Sequence, residues 1–314
     1  MIRVFNDNGA AKPETVAAVV VSYNRKVLLK ECVNALLNLR CDYLKVLIVD
    51  NCSTDGTEEY IGDLISDKVV YFNTGVNLGG AGGFNFGVKK AMEMGADYVW
   101  LMDDDCIVQE NSLAALLDFA KSKGGEFGFL SSKALWTDGT ISKMNIQRRS
   151  IGDKKLNTDV SGQKIRIATF VSLFLSAKVI REVGLPIKEF FIWGDDWEYT
   201  YRVSTKFACY YVAESVVIHK SAVNMGSNIA KDDLNRLDRY FYSYRNERYL
   251  YREVGFKGRL YYLLKISYHI VKVLFSRCKN KKTRLKMLFK GVAAGRSFKP
   301  DIEYAEQIEG VEKV

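Results

Sequence analysis

Residues 98–105 read Tyr-Val-Trp-Leu-Met-Asp-Asp-Asp, an apolar run that stops in three consecutive carboxylates. Such a run suits a strand covered on both faces. In open α/β sheets, ligands bind at the carboxyl ends of such strands. Three adjacent aspartates repel one another unless a cation sits among them. A divalent metal carrying a phosphate would satisfy them, and so would water around an acidic turn. The triplet alone leaves both readings open.

The neighbouring segments build a sheet around it. Val16–Ser22 is a second apolar run, followed by helical spacing over Lys26–Leu39 (Leu28, Leu29, Cys32, Val33, Leu36 and Leu37). Val46–Val49 is a strand ending in Asp50-Asn51, and a helix is expected from about Asp55, with Asp55 and Glu58 at capping-box spacing. Val69–Phe72 predicts a third strand, Phe84–Met94 a helix and Tyr98–Met102 a fourth strand. Alternation of this kind predicts βαβ units and a mostly parallel sheet.

Beyond the aspartates, Ser112–Lys123 reads as helix and Phe127–Ser131 as extended. Residues 136–166 are polar and irregular, expected as loops and a hairpin over the site. Phe170–Leu175 and Val216–His219 read as strands, Asp195–Ser204 as a helix whose two leading acids suit its dipole. From Asp232 onward the pattern is helical, which divides the chain into residues 1–231 and 232–314.

With 314 residues, 48% of them hydrophobic, the chain can bury a sizeable core. It contains no stretch of apolar residues long enough for a transmembrane helix. Met1–Asp7 lacks the apolar core of a secretory signal, so a cytoplasmic location is expected. The six cysteines form no C-x-x-C pair, which argues against a zinc site or a disulfide framework. The net charge of +9 is uneven: residues 256–299 hold thirteen Lys or Arg and no Asp or Glu. An anionic partner follows, membrane lipid or nucleic acid, and no nucleic-acid module is recognisable. In Leu260–Phe275 the residues Lys265, His269 and Lys272 recur at helical spacing, leaving Leu263, Leu264, Ile266, Ile270, Val273 and Leu274 for another face. This helix either lies in a membrane interface or packs on the catalytic domain.

Five segments fall where elements end: Val-Ser-Tyr-Asn-Arg (21–25), Val-Asp-Asn-Cys-Ser-Thr-Asp-Gly-Thr (49–57), Asn-Leu-Gly-Gly-Ala-Gly-Gly-Phe (77–84), Asp-Asp-Asp (103–105) and Trp-Gly-Asp-Asp-Trp-Glu (193–198), with His219 after them. The series resembles the GT-A fold glycosyltransferases of family 2 over residues 16 to about 250. Its glycine-rich segment, its Trp-Gly-Asp-Asp-Trp-Glu and Tyr-Arg-Asn (244–246) look most like the galactofuranosyltransferases.

Several positions make chemical sense by themselves. Asp50 at a strand end can accept the N3–H of uracil or of thymine, or simply form an Asx turn. The glycines follow the third strand, which does not fit a dinucleotide fingerprint after the first. They suit either a close ligand or a tight turn. Hard oxygen donors suit Mg²⁺ or Mn²⁺.

The resemblance assigns roles. It implies that Ser22, Asn24, Asp50, Asn77, Gly79, Gly80, Asp103, Asp104 and Arg245 bind the nucleotide sugar. Asp103, Asp105 and His219 would hold the metal. Asp196 would be the catalytic base, with Asp195, Trp193 and Trp197 orienting the acceptor. The expected enzyme is a metal-dependent inverting transferase moving galactofuranose from UDP-galactofuranose to a surface polysaccharide or lipid-linked glycan. It would sit on the inner face of the membrane, and a homo-oligomer is compatible with the sequence. A dTDP-sugar rhamnosyltransferase shares the site plan. A non-catalytic membrane scaffold would explain the tail but not the acids.

Overall fold

The computed structural model describes residues 14–39, 41–150, 152–153 and 155–305. Met1–Asp7, read above for a signal sequence, lies outside them. The chain begins with a βαβ series: β1 (Val16–Ser22), α1 (Lys26–Leu37), β2 (Leu44–Asp50), α2 (Thr57–Ile61), β3 (Val69–Asn73), α3 (Gly79–Glu93) and β4 (Tyr98–Asp103). There follow β5 (Cys106–Val108), α4 (Ser112–Ser122), β6 (Phe129–Trp136), β7 (Lys164–Ile165), β8 (Leu173–Ser176), α5 (Ala177–Val183), α6 (Asp195–Lys206) and β9 (Cys209–His219). Three helices close the chain: α7 (Leu237–Glu253), α8 (Phe256–Phe275) and α9 (Lys281–Ala294).

One sheet runs β3-β2-β1-β4-β8-β6-β9-β5, with β7 alongside β9. Its first four strands are parallel, as the alternating pattern requires, and β8 then pairs antiparallel with β4. Every residue of β1 is buried, which explains its unbroken apolar run. Its side chains alternate between two cores. Ala17, Val19 and Val21 face Phe84 and Val88 of α3 and Tyr199 of α6. Val16, Ala18 and Val20 face α1 and α4, where Leu29, Val33 and Leu116 pack. The period-2 geometry of a strand thus divides one run between two layers.

Three expected boundaries move. No Asp55–Glu58 capping box forms: Gly56 precedes α2 with left-handed backbone, and Asp55 instead accepts from Thr57 Oγ1 at 2.5 Å and from the Lys26 backbone N–H at 3.3 Å. Asp55 therefore ties α2 to α1. Helix α3 begins at Gly79, so the glycines form its first turns rather than a loop before it. A Cβ at Gly87 would sit 2.3 Å from Val19 Cγ1, so the glycine lets α3 close down on β1. Strand β9 extends well upstream of Val216 because β6 and β7 pair with its residues 209–212.

Helices α7–α9 share a third core of Tyr240, Tyr244, Tyr251, Tyr262, Ile266 and Leu288. They remain fastened to the sheet domain. Ala81, Ile187, Phe190 and Tyr249 form a cluster that joins α3, the 187–190 turn and α7. Glu303 pairs with Lys89 at 2.8 Å and Lys188 at 3.1 Å.

Candidate active site

The acidic triplet turns the chain from β4 into β5. Asp103 is the last residue of β4, Asp104 and Asp105 make the turn, and Cys106 starts β5. Antiparallel register sets Cys106 opposite His219, and the Lys220 N–H donates to the Asp105 carbonyl at 2.8 Å. His219 is thereby held beside the triplet, its Nε2 3.0 Å from Asp105 Oδ1.

The three carboxylates are used differently. Asp104 is buried and accepts from Ser22 Oγ at 2.8 Å, which ties the ends of β1 and β4 together. Arg25, half exposed, reaches Asp105 at 2.7 Å and Asp104 at 3.2 Å. Burial pushes the Asp104 carboxyl up to about 7 against the pull of Arg25. Burial and then Asp105 lift Asp103 to about 6. Burial would raise Asp105 too, but His219 and Arg25 hold it below the usual carboxylate range. His219, desolvated yet facing Asp105, has a net upward shift.

Asp103, Asp105 and His219 each present a ligand atom, and all three atoms lie within 4.8 Å of one another. His219 Nδ1 is buried without a hydrogen-bond partner among the described residues, and Asp105 Oδ1 has the His219 ring beside it. Two carboxylates and an imidazole this close together, with one ring nitrogen unpartnered, fit a divalent cation.

At the next strand end, Asp50 lies opposite Ser22 in the register of β1 and β2. One carboxylate oxygen accepts from the Ser53 N–H at 2.9 Å and Ser53 Oγ at 2.5 Å, the other from the Tyr71 hydroxyl at 2.6 Å. These bonds orient Asp50 beside a cavity of about 340 Å³ that Ser53, Gly56, Tyr71 and Asn73 also line. Asn24, with positive φ of 53°, accepts the Thr54 N–H at 2.7 Å and so joins the loops after β1 and β2. Between Ser22 and Asn24, Tyr23 is 43% exposed and leaves an aromatic face open.

The glycine segment is built for the protein itself as much as for a ligand. Asn77 accepts the Gly79 N–H at 2.8 Å in an Asx turn. Gly79 has φ +71°, and a Cβ there would fall 2.1 Å from the Phe191 carbonyl oxygen. Only glycine allows that approach. Gly80, by contrast, faces open space.

The Phe191 turn carries the second acid cluster. Phe191, Trp193 and Gly194 all have positive φ, at 62°, 65° and 87°. Asp195 and Asp196 then open α6, where the helix dipole favours negative charge. Asp195 is buried and lifted to about 6 by desolvation. Asp196 is also held well above the usual carboxylate range, by burial and then by Asp195. Asp103 also raises Asp196, and Asp195 raises Asp103, so the two acid groups are near enough to sense each other's charge. Trp193 packs edge-on against Tyr240 at 5.1 Å, and the Arg148 guanidinium lies 4.3 Å over the Trp197 ring.

Arg245 was expected on the nucleotide sugar. Its guanidinium instead donates to the carbonyls of Glu189 at 2.5 Å and Phe190 at 3.2 Å, and stacks 4.0 Å over Phe298. The neighbouring Asn246 is fully buried and its Nδ2 donates to the carbonyls of Phe190 (2.9 Å), Ile192 (3.2 Å) and Trp193 (2.8 Å). The Tyr-Arg-Asn segment therefore holds the turn that presents the acids. Sequence reasoning missed Asn246 and Arg25 as site residues. Arg25 was signalled by a cation just past the β1 end, opposite three acids. Asn246 was signalled only by its place in the Tyr-Arg-Asn segment, which drew attention to Arg245 instead.

The sequence profile of glycosyl transferase family 2 matches residues 17–184, more than half of the chain. The chain belongs to glycosyl transferase family 2. Among relatives of this glycosyltransferase, galactofuranosyltransferase GlfT1 of Mycolicibacterium smegmatis is 26% identical over 272 residues, 79% of this chain and 86% of that protein. Galactofuranosyltransferase GlfT1 of Mycobacterium tuberculosis is 30% identical over 195 residues, 59% of this chain and 63% of its own length. Among solved structures, S. aureus TarS 1-349 superposes with a TM-score of 0.54 at 13% identity, over 90% of this chain and 72% of that one. GalNAc-T7 with UDP, GalNAc and Mn²⁺ gives 0.51 at 16% identity, over 72% and 47%. At such identities the likeness establishes the fold, which is GT-A.

Proposed function

We propose that the enzyme transfers galactofuranose from UDP-galactofuranose, with inversion, to a glycan or lipid-linked glycan acceptor at a membrane surface. The observation that carries this reading is the cluster of Asp103, Asp105 and His219 at the end of β4, with the Asp195–Asp196 pair near enough for Asp103 to act on Asp196. Galactofuranosyl transfer is favoured because the two relatives named above bear that activity in their names.

Asp103, Asp105 and His219 would hold a divalent ion, Mn²⁺ more readily than Mg²⁺ given the imidazole. When bound, it supplies positive charge to the departing diphosphate. Ser22, Asn24 and Asp50 border the uridine, with Asp50 accepting N3–H, and Asn77, Gly79 and Gly80 line the sugar side with Asp103 and Asp104. Asp196 takes the acceptor hydroxyl proton as that oxygen bonds to the anomeric carbon. The anomeric C–O bond to the diphosphate breaks, and UDP leaves with the electron pair. A raised carboxyl is a better base near neutral pH than an ordinary one. Asp195, Trp193 and Trp197 orient the acceptor. In this reading residues 1–231 form the transferase domain and residues 232–314 the helical region that braces it and meets the membrane.

Asp50 accepts the same proton from uracil and thymine, so the donor is tested directly. Calorimetry with UDP and dTDP in Mn²⁺, followed by turnover of UDP-galactofuranose, should show tight UDP binding and release of UDP. Tighter binding of dTDP, with turnover of a dTDP-sugar, would reject the assignment.

A further inference from the structure

Helix α8 is apolar on two opposite faces, and only one of them is covered. Gly258, Tyr262, Ile266 and Val273 are buried against the enzyme, packing with Tyr244, Tyr251 and Leu288. On the far side stand Phe256 (81% exposed), Leu260 (49%), Leu264 (62%), Val271 (52%), Leu274 (47%) and Phe275 (85%). At about 100° per residue these six fall within roughly a third of the helix circumference. The apolar residues that the sequence grouped on one side are therefore divided: Ile266 and Val273 point in, whereas Leu264 and Leu274 point out. His269 leaves the basic face, because its Nδ1 meets the Tyr244 hydroxyl at 2.9 Å and burial lowers its pKa to about 4.

An uncovered apolar strip of this kind marks an interaction surface. Its charge selects the occupant. Residues 256–299 carry thirteen Lys or Arg and no acid, and Lys257, Arg259, Arg277 and Lys279 are exposed on or beside this helix. A second copy would set like charges against each other across a two-fold axis. Nucleic acid would use the basic residues but offers no continuous apolar surface to match six apolar side chains along 20 residues of helix. An anionic lipid surface satisfies both the apolar strip and its basic margin. No helix among the described residues is long and apolar enough to cross a membrane, so the contact would be superficial.

We infer that the outward face of α8 is a lipid-insertion surface, which seats the transferase flat on an anionic leaflet with α8 lying parallel to it. This deepens the membrane-surface acceptor reading above and rests on it.

The test is flotation of the full chain with phosphatidylcholine vesicles, with and without phosphatidylglycerol. The parent should float with the anionic vesicles only. Leu264→Glu/Val271→Glu should reduce the floated fraction at least tenfold, while Ile65→Glu, equally an exposed apolar site but on the sheet domain, should float like the parent. Should the double variant unfold, Leu264→Trp keeps the question open to measurement: brominated acyl chains should quench its added emission. Parental flotation by the double variant, no flotation of the parent, no quenching, or a dimer that the double variant splits in light scattering would each overturn the proposal. UDP binding is measured on the same samples. Its absence from the parent would strike the transferase reading, whereas lost flotation with intact UDP binding strikes only this one.

Discussion

Asn246 Nδ2 lies 2.8 Å from the carbonyl oxygen of Trp193, two residues before Asp195 opens α6. The same amide serves the carbonyls of Phe190 and Ile192. A turn with three positive-φ residues is thus held from a helix more than fifty positions later in the chain. Asn246→Ala should strand buried carbonyls and lower stability by about 1–3 kcal/mol. The acids it presents should lose their setting, so kcat should fall roughly tenfold or more, and by more than UDP affinity falls. Thermal melting and steady-state kinetics check both halves. An unchanged kcat in a destabilised variant would make Asn246 purely structural.

Asp196→Asn conserves shape and removes the base. Transfer should drop by about two to four orders of magnitude with UDP binding nearly unchanged. Full activity in this variant would sink the assignment.

The acid pair also predicts a pH effect. Asp195 beside Asp196 disfavours a second negative charge, which contributes to the raised pKa of Asp196. The base works deprotonated, so kcat/KM should climb as pH rises through its pKa. Asp195→Asn removes the like charge and should move that limb to lower pH, whatever it does to the maximum rate. A limb that stays put would mean another group limits the reaction.

His219→Ala should weaken UDP binding in Mn²⁺ far more than binding without metal. Identical Mn²⁺ dependence in variant and parent would make His219 a structural residue.

Arg25 competes for the same carboxylates, with one contact to Asp105 at 2.7 Å. Arg25→Gln should therefore raise the affinity of the nucleotide-free protein for Mn²⁺ several-fold, because a fixed positive charge beside the ligands is gone. Weaker Mn²⁺ binding would show that Arg25 instead organises the site.

The parallel half of the sheet was legible in the chain because each buried strand is a continuous apolar run that ends in polar or acidic residues. The antiparallel insertion of β8 was not, since Leu173–Ser176 reads alike in either direction. The glycine segment suggested a loop because glycine disfavours helices, yet Gly79, packed on the Phe191 carbonyl, and Gly87, packed on Val19, need backbone proximity more than helix propensity. Asp103, Asp105 and His219 are legible as residue types, whereas their approach depends on a strand pairing that no local pattern encodes. Arg245 illustrates the limit: a cation in a recognisable segment, spent on two backbone carbonyls.

Cys106 faces His219 across two strands whose pairing covers only three residues on the β5 side. Removal of one residue from β9 near His219 would turn the imidazole to the opposite side of the sheet. The spacing of Asp105 and His219 is therefore locked by the ladder, whatever the surrounding loops do.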